Sequence, residues 1–189
     1  IRGVEAAHRT AKRQGYGQLE IGFNWFYRTD PANEASFWDY LRDEGGRRFA
    51  RAVDWVGLDA YPGTVFPPVP SPVGNGFRDA MGEALGELRD CYMPIAKLGG
   101  AVPIHVEENG WPTGPGRRER EQVTAMRQMV GAVNDLRARY HVTDYRWFDL
   151  RDHNTSSANF QQHYGLLRDD YSRKPAFGVY RRLVRRFSR

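Results

Sequence analysis

The 189 residues contain a single cysteine, Cys91. That excludes a disulfide framework and a cysteine-rich metal site. Its place in the apolar helical stretch Leu88–Ile95 predicts a buried packing residue. No run of about 18 apolar residues occurs, so nothing reads as a membrane span, and no membrane partner is expected. No signal-peptide pattern opens the sequence. The first residue is Ile1 and helix-like sequence follows directly, which gives the expectation that an N-terminal segment is missing. No GxGxxG follows a strand-like run, so a dinucleotide-binding fold has no support. Internal repeats and low-complexity tracts are absent as well. The five histidines form no metal pattern: no HxxxH lies on a helix, and His105 and His141 are far apart in sequence. His153 and His163, close to Asp152 and Asn154, offer the donors of a cation site, but read first as substrate contacts or ordinary polar surface. Neither a metal nor a cofactor is expected.

The charge that is present totals +5, and much of it sits in Arg181, Arg182, Arg185, Arg186 and Arg189. Basic residues late in a helix suit its dipole. No nucleic-acid recognition motif accompanies them, so no nucleic-acid partner is expected. Apolar residues at 40% and charged residues at 27% are ordinary for a globular chain. Aromatic residues reach 13%, enough for stacking surfaces such as those that bind sugars, although large cores also hold aromatics.

Four short runs rich in β-formers alternate with helical patterns. The runs are Leu19–Trp25, Asp54–Tyr61, Val102–Glu108 and Asp144–Leu150. The helical patterns are Ile1–Gln14, Phe37–Ala52 with Gly45–Gly46 interrupting it, Phe77–Leu98, Arg118–Tyr140, and Lys174–Phe187 with Pro175 in its first turn. Such alternation predicts parallel strands joined by crossover helices. Long loops follow the second run (Pro62–Gly76) and the fourth (Arg151–Tyr171), where barrels carry their active sites. A complete barrel has eight strands in roughly 250 residues. The expectation is therefore an α/β fold, a partial (β/α)8 TIM barrel of four parallel strands.

The most specific stretch is Ile104-His105-Val106-Glu107-Glu108-Asn109-Gly110-Trp111-Pro112-Thr113. A strand ends in a carboxylate and Asn-Gly turns the chain at once. This resembles the "TENGW" ending of strand seven in the clan A retaining glycoside hydrolases. Asp54–Tyr61 resembles their strand six, and Tyr145–Asp152 their strand eight. Tyr164–Phe177 is similar to the structural ending in which strand eight closes onto the last helix, and Ile21–Trp25 then falls where strand five should be, so the resemblance implies that residues 1–189 are the C-terminal half, strands five to eight, of one glycosidase-like catalytic domain. The resemblance implies that Glu108 is the nucleophile, that Tyr61 hydrogen-bonds it and helps set its ionisation, and that Trp147 is the apolar floor beneath the sugar. Trp111, Asn24, Trp25, Asp149 and His153 become candidate contacts to a carbohydrate substrate. For each residue a plainer role stays open: Glu108 as a turn cap or an arginine partner, Tyr61 as core or loop, Trp147 as barrel core.

A retaining mechanism needs two carboxylates roughly 5–5.5 Å apart. In the clan the second Glu follows an Asn at the end of strand four, which would precede this chain. Asn33-Glu34 is the tempting substitute, against a solvated helix start. Alternation turns Glu107 to the other face, while Asp59 and Asp149 share their runs with Tyr61 and Trp147 at two-residue spacing. The implied reaction is cofactor-free hydrolysis of an O-glycosidic bond, with the acid/base residue in a missing half. The alternatives are a truncated, non-catalytic or merely carbohydrate-binding half-barrel, and an unrelated phosphate-binding barrel. The last fits Asn109-Gly110-Trp111-Pro112 poorly, because Trp and Pro block close backbone approach. Open strand edges give the further expectation of a complementary half-barrel chain or self-association as partner.

Overall fold

A computed structural model describes residues 1–68 and 74–187. Arg189 and the middle of the Pro62–Gly76 loop lie outside the described residues. Helix α1 (Arg2–Arg13) precedes strand β1 (Gly22–Phe26). Helix α2 (Pro31–Tyr40) continues through a π-turn, Leu41–Gly45, into α3 (Gly46–Ala50). Strand β2 (Trp55–Ala60), α4 (Gly76–Gly86) with a π-helical extension Glu87–Tyr92, and the short α5 (Met93–Ile95) follow. Strand β3 (Ile104–Asn109), α6 (Glu119–Tyr140), β4 (Val142–Tyr145) and α7 (Pro175–Phe187) complete the order. The strands are parallel and neighbour one another in sequence order, β1-β2-β3-β4. This is the partial TIM-barrel-like α/β fold expected.

The chain divides into two compact units. The first comprises Ile1–Asp59, Glu83–Glu107 and Arg137–Tyr145. It holds the paired lengths of the strands. Val56, Leu58, Ile104 and Val106 alternate to one face and are wholly buried, as a helix-covered sheet requires. The opposite face is polar or open: Asn24 donates to both Asp59 oxygens at 3.1 and 3.3 Å. Gly57 makes that reach possible, since a Cβ there would stand 2.5 Å from Asn24 Oδ1. Behind β1, Trp25, Trp38 and Tyr92 pack ring to ring.

The second unit comprises Ala60–Gly82, Glu108–Leu136 and Arg146–Arg189. Its part of α6 buries Gln122, Ala125, Met126, Met129, Ala132 and Val133 at helical spacing. Lys174, just ahead of α7, is buried and fully bonded. Its Nζ donates to Asp152 Oδ1 (2.6 Å), Thr113 Oγ1 (2.8 Å) and the His163 carbonyl (3.0 Å). Burial holds the Lys174 amine below the ordinary lysine range, opposed by Asp152. Asp152 also accepts from the Gly165 N–H at 2.9 Å. This latch ties the start of α7 to the loops after β3 and β4.

Several sequence expectations are corrected. β4 spans Val142–Tyr145, not Asp144–Leu150: the chain leaves the sheet after Tyr145, so Trp147 and Asp149 are not on a strand and do not share its alternation. β1 starts at Gly22 and leaves Leu19 exposed. The Phe77–Leu98 helix widens to π geometry over Glu87–Tyr92, ahead of Pro94, which has no N–H to continue the ladder. That register buries Leu88 and Tyr92 and turns Cys91 outward, so the cysteine is exposed, not buried. α2 begins at Pro31, six residues early, with Asp30 as its N-cap. Its core residue is Trp38, while Phe37 is exposed.

Replacing Lys174 by Met would leave Asp152 buried without its cation. We expect a loss of about 3–5 kcal/mol in urea-denaturation stability. A loss under about 1 kcal/mol would show that the latch carries no weight.

Candidate functional site

The chemistry of the second unit gathers at the ends of β2 and β3. Asn109, the residue after Glu108, is fully buried, and its Nδ2 donates to the Ala60 carbonyl at 2.7 Å. The same amide lies 3.3 Å from Met81 Sδ and 3.4 Å from Met129 Sδ. Ala60 precedes Tyr61, so one side-chain bond sets Glu108 against Tyr61. The Tyr61 hydroxyl donates to Glu108 Oε2 at 2.8 Å. Tyr61 is buried and Glu108 half-buried. Gly110 then passes so close to the chain after β4 that a Cβ would fall 2.2 Å from the Phe148 carbonyl oxygen. The Phe148 N–H donates back to Asn109 O at 2.8 Å.

Aromatic rings surround the pair. Tyr61, Phe148 and Tyr164 meet edge to face at centroid distances of 6.1, 5.5 and 5.5 Å. Phe148 is 37% exposed, whereas Trp147 is 8% exposed with its Nε1 buried and without a hydrogen-bond partner. Burial therefore makes Phe148 the accessible ring beside Tyr61, a residue the sequence reading missed. The resemblance and the fit of an indole to a sugar face point to Trp147; what they do not disclose is that the chain leaves the sheet at Tyr145, ahead of both rings. The peptide bond between Phe148 and Asp149 is cis.

Trp111 is 6% exposed, and the Arg117 guanidinium covers one face of its ring at 5.0 Å. Arg117 also lies 4.7 Å over Phe160 and donates to the Gly63 carbonyl at 3.1 Å. One side chain thus joins the loops after β2, β3 and β4. Asp149 is half-buried; burial pushes its carboxyl up, and the Asp152 charge adds to the shift. One of its oxygens is buried without a hydrogen-bond partner. His153 is exposed, with its backbone N–H on the Gln162 carbonyl at 2.9 Å. His163 is buried, its Nε2 2.8 Å from the Ser157 carbonyl.

The remaining candidates belong to the first unit. Asn24 is exposed and bound to Asp59. Trp25 is 4% exposed, enclosed by Tyr27, Trp38 and Tyr92, so it packs β1 against the helices and offers no free face. Its Nε1 donates to Glu34 Oε2 at 2.6 Å. Glu34 is buried in the first turn of α2, not solvated at a helix start. Burial raises its pKa, against the Trp25 bond and Arg28. Nearby, burial and Glu87 push Tyr92 up to about 12, and the same causes raise Tyr27.

Among solved structures the chain is similar to a hyperthermophilic β-glucosidase, at 16% identity and a TM-score of 0.59, covering 93% of this chain and 45% of that one. It is similar to a β-D-glucuronidase from Dictyoglomus thermophilum at 15% identity and a TM-score of 0.54, covering 89% and 26%. A β-galacturonidase from Eisenbergiella tayi bound to galacturonate matches at 17% identity and a TM-score of 0.53, covering 73% and 25%. The neighbours are glycoside hydrolases, and at these identities the likeness is one of fold. The chain spans between a quarter and just under half of their lengths. No protein-family profile matches the sequence. No curated protein matches it either.

Because Glu34 holds its proton more tightly folded than unfolded, its contribution is complete below the ordinary glutamate range and is lost as pH rises through the folded value. Glu34→Gln keeps an acceptor for Trp25 and removes the buried charge. We expect the variant to be more stable than the parent at pH 7, with the gap closing below about pH 4. Equal stabilities at pH 7, measured by chemical denaturation, would contradict this placement.

Proposed function

We propose that this chain carries the nucleophile half of a retaining glycosidase acting on β-linked pyranosides, with Glu108 as the attacking carboxylate. The observation that carries the reading is the 2.8 Å bond from the Tyr61 hydroxyl to Glu108 Oε2, made where two parallel strands end. Active sites of (β/α)8 barrels lie at that end. The bond holds one carboxylate oxygen and leaves Oε1 to attack the anomeric carbon. The exposed ring of Phe148 offers an apolar face for sugar C–H groups, with Asp149 beside it in sequence.

In the proposed first step a Glu108 oxygen bonds to the anomeric carbon as the glycosidic C–O bond breaks. The leaving oxygen takes a proton from a second carboxylate, and water then releases the sugar. That second carboxylate is proposed to come from outside these 189 residues, on a complementary half-barrel or within a longer chain. The uronide and glucoside specificities named for the structural neighbours make glucosides, glucuronides and galacturonides the first substrates to try. The partial coverage of those neighbours favours one other reading, a half-barrel that binds carbohydrate without turnover.

Dinitrophenyl glycosides separate the two readings, because so good a leaving group needs no protonation. We expect a burst of dinitrophenolate of about one equivalent from at least one sugar of the panel. Glu108→Ala should abolish the burst. Tyr61→Phe should slow it by roughly 10–100-fold, as expected for a lost bond to a charged group. Binding of the sugars with no burst would leave the non-catalytic reading and overturn the catalytic one.

A further inference from the structure

We propose that His105, Glu107 and Asp144 form a site for one divalent first-row transition cation. Their ligand atoms all lie within 4.8 Å of one another. All three belong to the first unit, and the site does not rest on the glycosidase reading.

The sequence builds the cluster in two moves. Alternation along β3 puts His105 and Glu107 on one face, opposite the wholly buried Ile104 and Val106. A bulge then selects the third residue. Ile104 pairs with Val142 but His105 pairs with Asp144, so β4 carries one extra residue at that point. Without the bulge Thr143 would stand beside His105; with it, a carboxylate does.

The imidazole is held in place before any ligand arrives. Its ring stacks on Trp55 with centroids 4.8 Å apart and planes 13° from parallel. Trp55 in turn lies across Gly22, where a Cβ would fall 2.2 Å from the indole. Outer groups that fix a ligating ring are a recurrent part of metal sites. His105 Nδ1 stands 3.5 Å from Glu107 Oε1. That is beyond a good hydrogen bond. It is close to the spacing of about 3.3 Å expected for two ligands at about 2.0–2.1 Å from one tetrahedral ion. The His105 and Glu107 side chains are 13% and 9% exposed, so the site is largely shielded from water yet reachable.

One imidazole nitrogen with two carboxylates is a mixed donor set. It suits Mn²⁺, Fe²⁺, Co²⁺ or Zn²⁺ better than Ca²⁺, which takes oxygen ligands in greater number. An ion there would clamp β3 to β4, the strand at the sheet's edge.

Co²⁺ is a suitable probe, added to the chelator-stripped chain and followed by visible absorption, calorimetry and tryptophan fluorescence. We expect one equivalent to bind saturably, to quench emission through Trp55 and to raise the melting temperature. His105→Gln and Asp144→Asn should each weaken binding at least by the roughly 10–100-fold that loss of an outer partner costs. His8→Gln should leave it unchanged. Trp55→Phe keeps a stacking ring, so it should retain binding while losing most of the quenching. If the ligand variants fail to fold, the parent and Trp55→Phe titrations decide. No saturable equivalent in the parent, or quenching unchanged in Trp55→Phe, would overturn the site. Folded ligand variants that bind as tightly as the parent would do the same.

Discussion

The carboxamide of Asn109 is the constraint on which the candidate active centre depends. Its donation to the Ala60 carbonyl fixes the ends of β2 and β3 against each other. The residue before Asn109 and the residue after Ala60 are the two that make the acid–phenol bond. Loss of this amide would remove a buried bond between the two strand ends, at a cost of about 0.5–1.5 kcal/mol. It would also release the register that sets Glu108 against Tyr61. Gly110 extends the constraint, because only a residue without a Cβ lets the Phe148 carbonyl approach so closely.

From that hub the surrounding shell follows. The Phe148 backbone returns to Asn109, and its ring closes the aromatic group with Tyr61 and Tyr164. Arg117 links three loops by lying over two rings and bonding one carbonyl. Lys174 and Asp152 fasten the beginning of α7 beneath the loops after β3 and β4. Stability and chemistry therefore share parts: several polar groups that hold the loops are themselves deeply buried, and each is bonded.

Much of this was legible in the sequence. Asn-Gly after two carboxylates marks the end of β3, and the apolar alternation of Ile104 and Val106 marks its covered face. The four-strand, parallel α/β order follows from the spacing of apolar runs. What escaped the sequence were effects of register. The short β4 moved the accessible ring from Trp147 to Phe148. The π-helical turn before Pro94 turned Cys91 outward. The bulge opposite His105 brought Asp144 beside it, a pairing that no spacing of histidines discloses. Trp25, a candidate by its place on the first strand, is enclosed because odd and even positions of β1 face opposite ways. Tertiary partners such as Asp152 for Lys174, or Trp25 for Glu34, are set by folding and not by separation along the chain.

The central claim is that Glu108 is a nucleophile poised by Tyr61. The most direct measurement is mass-spectrometric peptide mapping after incubation with 2-deoxy-2-fluoro glycosides bearing a dinitrophenyl leaving group. These should form a glycosyl ester and release it slowly. The account predicts one sugar per chain, attached to the peptide that contains Glu108 and absent from Glu108→Ala. A label on another carboxylate, or none from any sugar tried on the folded chain, would contradict it.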